Sequence, residues 1–350
     1  MVRTMFISIA MGILLITAMP AAADSGYPVV LIHGFQPHQL QAQPNADQVE
    51  LDGAAYWDEY WGPRAAARID WPSHQRVTQQ ISTQYVWPKL QELSSSGLCR
   101  DGCLLVTHST GDLIARHILE NQRNWLENAG LEPLNFVATI DFAGAGGGSE
   151  LADIAINVAE GGGLTNAAMR YAISLWLGIT PTQGNLGVLS DLRVANARQL
   201  ARLPDERVPR LRFVGDATDF WSVTAPFLPG HDDGVVSAHS TCGAADVSNF
   251  NSCSPTMNFS GRLTSMSNGV EQFMPYHYPI AMGSGYSHSG TIAAQHEGPL
   301  GSVQRLLNLA NGETLSVAYE RESGWFGRRF EYIQGSQQQT MSEVAQGLLR

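Results

Sequence analysis

Apolar runs that alternate with amphipathic stretches give most of the chain the pattern of an α/β protein. Helical spacing of apolar residues predicts helices over Val77–Leu93 and Leu113–Leu119. Short β-rich runs predict five strands, at Tyr27–Ile32, Ala66–Trp71, Leu104–Thr107, Phe136–Ile140 and Arg210–Gly215. Strands that alternate with helices in this way predict a mostly parallel sheet with helices on both faces.

Two segments depart from this alternation. Residues 36–63 show no clear period, so we expect a loop that carries the aromatic residues Tyr56, Trp57, Tyr60 and Trp61. An apolar helix bounded by glycines is predicted within Gly161–Gly178. Because apolar helices mostly pack inside proteins, this helix is interpreted either as part of the core or as a mobile lid.

The C-terminal part has a pattern of its own. A helix is predicted over Ser302–Leu309. Alternating residues at Thr314–Tyr319 and Phe326–Ile333, with a turn near Ser323 and Gly324, predict a hairpin that could extend the sheet at one edge.

The first residues have the pattern of a secretory signal peptide. Arg3 supplies a positive charge, Met5–Ala18 is an unbroken apolar stretch, and Ala21–Ala23 fits a cleavage site. The alternative is an uncleaved membrane anchor, which the short apolar stretch disfavours. We therefore expect residues 1–23 to be removed and residues 24–350 to form a single domain. We also expect the protein to be secreted or periplasmic.

Export changes what the four cysteines imply. They allow three pairings, and in an oxidising compartment the two short loops Cys99–Cys103 and Cys242–Cys253 are the simplest choice. A zinc site is the competing interpretation, but no His or Cys stands at ligand spacing beside either pair. The sequence therefore predicts two disulfides and no metal.

The charge of the chain restricts its partners. The formal net charge is −11, the sequence pI is about 5.3, and no cluster of Lys and Arg interrupts the acidic balance. A phosphate backbone would be repelled by such a surface. We therefore expect no nucleic-acid partner.

Candidate chemistry begins at LLVTHSTGDLIAR, residues 104–116, where an apolar run enters Ser109 and a helix follows. A serine in a tight turn between a strand and a helix has its hydroxyl exposed, and the helix N-terminus favours developing negative charge. Gly111 meets the demand of the turn for a small residue, whereas Thr107 stands where Gly is usual. The alternative is that Ser109 only caps a helix.

A second motif supports a nucleophile at Ser109. The run VVLIHGF places a strand before His33, Gly34 and Phe35. In such an arrangement the backbone N–H groups of Phe35 and Thr110 are candidate oxyanion-hole donors.

Taken together, these motifs resemble the secreted bacterial lipases of the α/β-hydrolase fold. The resemblance rests on PVVLIHGF, THSTG, GGGSELAD (146–153), VLSDLRVANARQLARLPDE (188–206) and HDDGVVS (231–237), and it covers most of residues 27–310. It implies an α/β-hydrolase with a Ser–His–Asp triad and a lid-like segment at about 155–190.

The resemblance also implies which aspartate completes the triad. The residue directly before Gly234 matches the catalytic acid of these lipases, which selects Asp233. Asp232 is the nearest rival, Asp216 a more distant one, and Asp219 is a further carboxylate after the same strand.

His277, His288 and His296 follow the aspartates, in the order Ser–Asp–His that suits this fold. His288, in the loop GYSHSGTIA, resembles the family's catalytic histidine better than His277 does, and His296 remains a competitor. His108, beside Ser109, is expected to pack against a neighbour.

The predicted function is hydrolysis of carboxylic esters, among them lipids, through an acyl-enzyme and without a cofactor. Relatives often hold calcium through an Asp two residues after the histidine, but Gly290 and Gly298 occupy the corresponding positions, which disfavours calcium. Two alternatives stay open. One is a non-catalytic protein that binds an apolar ligand, and the other is an acyltransferase or peptidase that uses the same triad.

Overall fold

The computed structural model describes residues 26–162, 167–200, 208–250, 252–253, 260–262, 273–324 and 328–349. The expected signal peptide (1–23) lies outside these ranges, as do residues 163–166 of the proposed lid segment and 325–327 of the predicted hairpin. No helix within the described ranges is long and apolar enough to cross a membrane.

A parallel sheet forms the centre of the molecule. Its strands are β1 (Val29–Ile32), β2 (Ala67–Arg68), β3 (Cys103–His108), β4 (Phe136–Phe142), β5 (Arg210–Gly215) and β6 (His277–Gly283), in the order β2-β1-β3-β4-β5-β6. Each neighbouring pair is parallel. All five predicted strands are found, with the weak one reduced to two residues, whereas β6 was not predicted.

The α-helices surround this sheet. They are α1 (Gln39–Ala42), α2 (Ala46–Tyr56), α3 (Trp87–Ser96), α4 (Gly111–Asn128), α5 (Glu150–Ala159), α6 (Ala167–Leu177), α7 (Leu189–Leu192), α8 (Val194–Leu200), α9 (Ala238–Thr241) and α10 (Met341–Gly347). A π-helical stretch, Val77–Val86, leads into α3, so the predicted helix Val77–Leu93 divides into two types. Helix α4 is much longer than predicted.

Alternate side chains of the strands enter two separate cores. Val30, Ile32 and Leu105 pack with α3, α4 and α5 on one face, whereas Leu31 and Leu104 pack on the other face. Successive side chains of a strand point to opposite faces, so a sheet covered on both sides needs apolar residues at every position. The prediction of an α/β fold with helices on both faces is confirmed.

The segment 36–63 is helical, and the prediction of a loop was wrong. Asn45 caps α2 by accepting a hydrogen bond from the Gln48 N–H. Trp57 and Trp61 are almost fully buried in the second core. The apolar residues cluster at the end of α2 instead of repeating along it, so the helix left no periodic signal in the sequence.

The C-terminal predictions were also wrong in part. Ser302–Leu309 is not a helix, because β7 (Leu306–Asn308) pairs antiparallel with β8 (Thr314–Ser316). A hairpin does form between β9 (Tyr319–Ser323) and β10 (Arg329–Ile333). These two ribbons are separate two-stranded sheets and do not extend the central one.

The cysteines pair as predicted. Cys99 is joined to Cys103, with Cα atoms 5.0 Å apart, and Cys242 to Cys253, with Cα atoms 5.2 Å apart. The first disulfide lies at the start of β3, and the candidate nucleophile Ser109 directly follows the other end of this strand.

Helix α4 begins in direct contact with β1. A Cβ atom on Gly111 would lie within 3.0 Å of the carbonyl oxygens of Ile32 and His33. Backbone atoms of a central strand cannot move aside cheaply, so only glycine lets the helix approach this closely.

We expect Gly111→Ala to lower the free energy of unfolding by about 1–3 kcal/mol, because overpacking forces the helix away from the strand. Chemical denaturation measures this difference. Gly184→Ala is the matched control, since a Cβ atom there meets nothing within 4 Å. Equal stability of the two variants would contradict the close packing of α4 on β1.

A candidate catalytic site at the end of β3

Ser109 lies in the turn between β3 and α4 with its backbone in the left-handed region, at φ 55°. The Ser109 N–H donates to the Phe142 carbonyl (3.0 Å), and the Ser109 carbonyl accepts from the N–H of Ala145 (2.9 Å). A non-glycine residue keeps such a conformation only where its surroundings enforce it, and strain of this kind clusters at functional sites. The turn matches the nucleophile elbow of α/β-hydrolases.

A buried hydrogen bond explains why threonine stands at position 107, where glycine is usual. Its hydroxyl donates to Asp141 Oδ1 (2.6 Å), and both side chains are fully buried. The close approach occurs instead at Gly34, where a Cβ atom would lie within 3.0 Å of Ser109 Cβ and of the Tyr56 hydroxyl.

A buried ionic cluster fixes the start of α4 behind this turn. Asp112 Oδ2 accepts from Arg212 Nη1 (2.5 Å) and from the Gly146 N–H (2.8 Å), and Arg210 Nη2 donates to Asp112 Oδ1. Burial would raise the pKa of Asp112, but the charges of Arg212 and Arg210 hold that pKa well below its usual range. Asp112 therefore ties the turn to the glycine-rich loop after β4.

His288 is paired with Asp233. His288 Nδ1 lies 2.9 Å from Asp233 Oδ2, and the His288 N–H donates to the Asp233 carbonyl (2.9 Å). Asp233 is fully buried, and its Oδ1 accepts from the N–H groups of Val235 and Val236. Burial lowers the pKa of His288, but the charge and hydrogen bond of Asp233, together with the charge of Asp219, raise that pKa above its ordinary value.

The rival residues are engaged elsewhere. Asp232 accepts from the Gly234 N–H (2.9 Å), and burial raises its pKa to about 6. Asp216 contacts His231 at 3.2 Å. His277 Nδ1 accepts from Arg212 (2.7 Å), and His296 Nε2 donates to the Ser336 carbonyl (3.0 Å). Of the candidates predicted from the sequence, His288 is thus paired with Asp233, and His288 lines the same cavity as Ser109.

Asp219, the further carboxylate after β5, has a different place. It accepts from the N–H of Ser289 (2.9 Å) and from the hydroxyls of Ser287 and Ser289. These two serines flank His288 in the chain, so Asp219 holds the loop on both sides of the histidine.

The candidate oxyanion donors are oriented by neighbours. His33 Nδ1 donates to the Gly34 carbonyl (2.8 Å), while the N–H of Trp71 donates to His33 Nε2 (3.1 Å). Burial lowers the pKa of His33 to about 4, so the ring is neutral near pH 7. In a trans peptide the N–H points opposite to the C=O, so this bond directs the Phe35 N–H away from His33.

Thr110 supplies the second candidate donor at the start of α4. The first N–H groups of a helix have no partner within the helix, and they carry the positive end of its dipole. Within the described parts of the chain, no protein acceptor takes the N–H of Thr110 or that of Phe35.

An apolar cavity of about 260 Å³ joins these groups. Ser109, Thr110 and His288 line it together with mostly apolar side chains, among them Phe35, Trp176, Leu192, Phe220, Val235 and Val236. Trp176 of α6 packs on Phe35, with ring centroids 5.7 Å apart. Helix α6, within the predicted lid segment, thus lies against the cavity.

Two residues at the site were not predicted to act there. The Tyr56 hydroxyl is hydrogen-bonded to His108 Nδ1, and His108 Nε2 lies 2.9 Å from the His288 carbonyl. The aromatic cluster at 56–61 was the one sequence signal that could have drawn attention to Tyr56. The expectation that His108 packs against a neighbour is consistent with these contacts.

Among the described residues, no group of three or more His, Cys, Asp or Glu side chains has the arrangement of a metal site.

The parallel sheet, its strand order and the strand–serine–helix turn after β3 define the α/β-hydrolase fold. No protein-family model matches the sequence, and no curated protein matches it.

Several solved structures are similar. Staphylococcus hyicus lipase is 14% identical, with 78% of this chain and 90% of that chain covered and a TM-score of 0.44. Bacillus licheniformis lipase BlEst2 in mature form is 16% identical, with 61% and 78% covered and a TM-score of 0.41. Phospholipase PlaB from Legionella pneumophila is 18% identical, with 77% of this chain but only 54% of that chain covered and a TM-score of 0.41.

We expect Asp233→Asn to lower the pKa of His288, because burial remains while only the charge of Asp219 is left to oppose it. Titration of the imidazole signals by NMR measures the shift. Asp232→Asn, which changes the neighbouring carboxylate, serves as the control. A larger shift in the control than in Asp233→Asn would identify Asp232 as the partner instead.

Proposed function

We propose that this chain is a serine hydrolase of carboxylic esters, with Ser109 as nucleophile, His288 as general base and Asp233 as the acid that orients it. The observation that carries the proposal is the combination of a left-handed Ser109 with a His288–Asp233 pair at one apolar cavity. A helix-capping serine would need neither the paired histidine nor the cavity.

The chemistry follows from the protonation states. Asp233 accepts a hydrogen bond from the Nδ1–H group of His288, so Nε2 is the nitrogen left to take a proton from Ser109 as its oxygen attacks the ester carbonyl. The His288 imidazolium then protonates the leaving alcohol, and water hydrolyses the acyl-enzyme with His288 again as base. Asp233 stabilises the imidazolium and stays ionised.

The N–H groups of Phe35 and Thr110 would stabilise the negative oxygen of the tetrahedral intermediate. Removing one such donor typically costs about 3–4 kcal/mol of transition-state stabilisation. Both are backbone groups, so their placement depends on the His33–Gly34 contact and on the start of α4.

The cavity favours esters with an apolar acyl group. Its side chains are mostly aliphatic and aromatic, which suits an acyl chain better than a peptide backbone that needs many hydrogen bonds. We therefore propose lipid or lipid-like esters as substrates. The signal-peptide pattern at 1–23 and the two disulfides support export as the setting of this activity.

Hydrolysis of p-nitrophenyl esters from C2 to C16 tests the proposal. We expect turnover by the wild type and a loss of about 10⁴-fold or more in Ser109→Ala and in His288→Ala. His296→Ala is the matched control and should keep its rate, because His296 bonds to the Ser336 carbonyl away from the cavity.

A fluorophosphonate probe separates the alternatives. An activated Ser109 should be labelled in the wild type and in His296→Ala but not in Ser109→Ala. A wild type that is neither labelled nor active on any ester would favour the apolar-ligand-binding protein. Labelling together with transfer to an added alcohol or amine would favour an acyltransferase.

The pH profile should carry the signature of His288. The base must be neutral to accept the proton of Ser109, and its pKa is raised above the ordinary value. The acid limb of kcat/KM should therefore lie above pH 6.5, with activity rising as His288 loses its proton. An acid limb well below that pH would contradict the His288–Asp233 pair as the kinetically observed base.

A further inference from the structure

We propose that Tyr56 and His108 form a neutral hydrogen-bonded pair that positions His288 relative to Ser109. The inference rests on the proposed function and adds two positioning residues to the same site. Neither residue belongs to the triad or to the oxyanion donors.

The first step is the contact between Tyr56 and His108. Tyr56 is the last residue of α2, it lines the cavity, and its hydroxyl is hydrogen-bonded to His108 Nδ1. Burial raises the pKa of Tyr56, so its hydroxyl stays protonated and can donate a hydrogen bond.

The second step fixes the tautomer of His108. The residue is only 3% exposed, and burial together with the charge on His288 keeps the pKa of His108 well below its ordinary value. A neutral imidazole has one N–H and one acceptor nitrogen. Because the His288 carbonyl can only accept, the proton of the neutral ring is on Nε2, which donates to that carbonyl (2.9 Å). Nδ1 is then the acceptor, and the Tyr56 hydroxyl donates to it.

The third step is the place of this bond in the chain. His108 is the last residue of β3 and directly precedes Ser109, so its bond to His288 joins the strand of the nucleophile to the loop of the base. Asp219 and Asp233 hold that loop from the segments after β5. A misplacement of about 1 Å between reacting groups can cost 10²-fold in rate.

The Tyr56 hydroxyl also lies beside Gly34, which precedes the candidate oxyanion donor Phe35. A Cβ atom on Gly34 would lie within 3.0 Å of this hydroxyl and of Ser109 Cβ. Tyr56 therefore touches the segment that presents Phe35 and, through His108, supports the base.

Tyr56→Phe tests the proposal with the loss of one oxygen atom. We expect kcat for a p-nitrophenyl ester to fall about tenfold, with KM within about twofold of the wild type. Tyr60→Phe is the matched control: it removes a hydroxyl from the same segment, but one that bonds to Gln346. The control should keep the wild-type kcat.

A second readout excludes a merely structural role. The charged or titratable groups around His288 are Asp233, Asp219 and His108, and a loosened loop weakens the contact with Asp233. The acid limb of kcat/KM should therefore shift to lower pH in Tyr56→Phe. Labelling by a fluorophosphonate should slow by a similar factor while its end point still reaches all of the protein.

His108 variants complete the test. His108→Gln keeps a side-chain N–H donor and should retain more activity than His108→Leu, which has none. If Tyr56→Phe matches Tyr60→Phe in kcat, pH profile and labelling rate, or loses activity only in proportion to the labelled fraction, the positioning role is wrong. A wild type that is neither active nor labelled would instead remove the proposed function itself.

Discussion

The left-handed backbone conformation of Ser109 depends on glycines at neighbouring positions, because side chains there would collide with the turn. Glycine at position 34 lets the strand β1 segment pass beside the serine, and glycine at 111 lets α4 start against β1. The strain at Ser109 costs on the order of 1–3 kcal/mol, which the surrounding packing must offset. The end of β3, the start of α4 and the segment after β1 therefore all meet at this turn.

Support for the turn comes from polar groups that the apolar core surrounds. Asp112 with Arg210 and Arg212 is fully buried and bridges α4, β5 and the loop that bonds to Ser109. Breaking such a cluster by removing one partner leaves a buried charge uncompensated, typically at about 3–5 kcal/mol. The arrangement therefore connects α4, β5 and the loop after β4 behind the turn.

The sequence predicts those parts of the site that lie within short, continuous motifs. Ser109, the segment before Phe35 and the turn around Asp233 each have a local signal, and so has the parallel sheet. Tyr56 and His108 could not be placed, because 52 residues separate them and their contact exists only in the folded chain. The helix predicted over Ser302–Leu309 was wrong for a related reason, because β7 forms only by pairing with β8, which lies outside that segment.

Trp176 packs on Phe35 and so joins helix α6 to the wall of the cavity. The ring of Phe35 forms one wall of the cavity, and its own backbone N–H is a candidate donor to the reacting oxygen. If α6 moved away from the cavity, Phe35 would lose the ring that packs on it. Under the proposed function, an acyl chain in the place of the Trp176 ring would restore that packing, so that the substrate itself would help to hold the candidate donor in position.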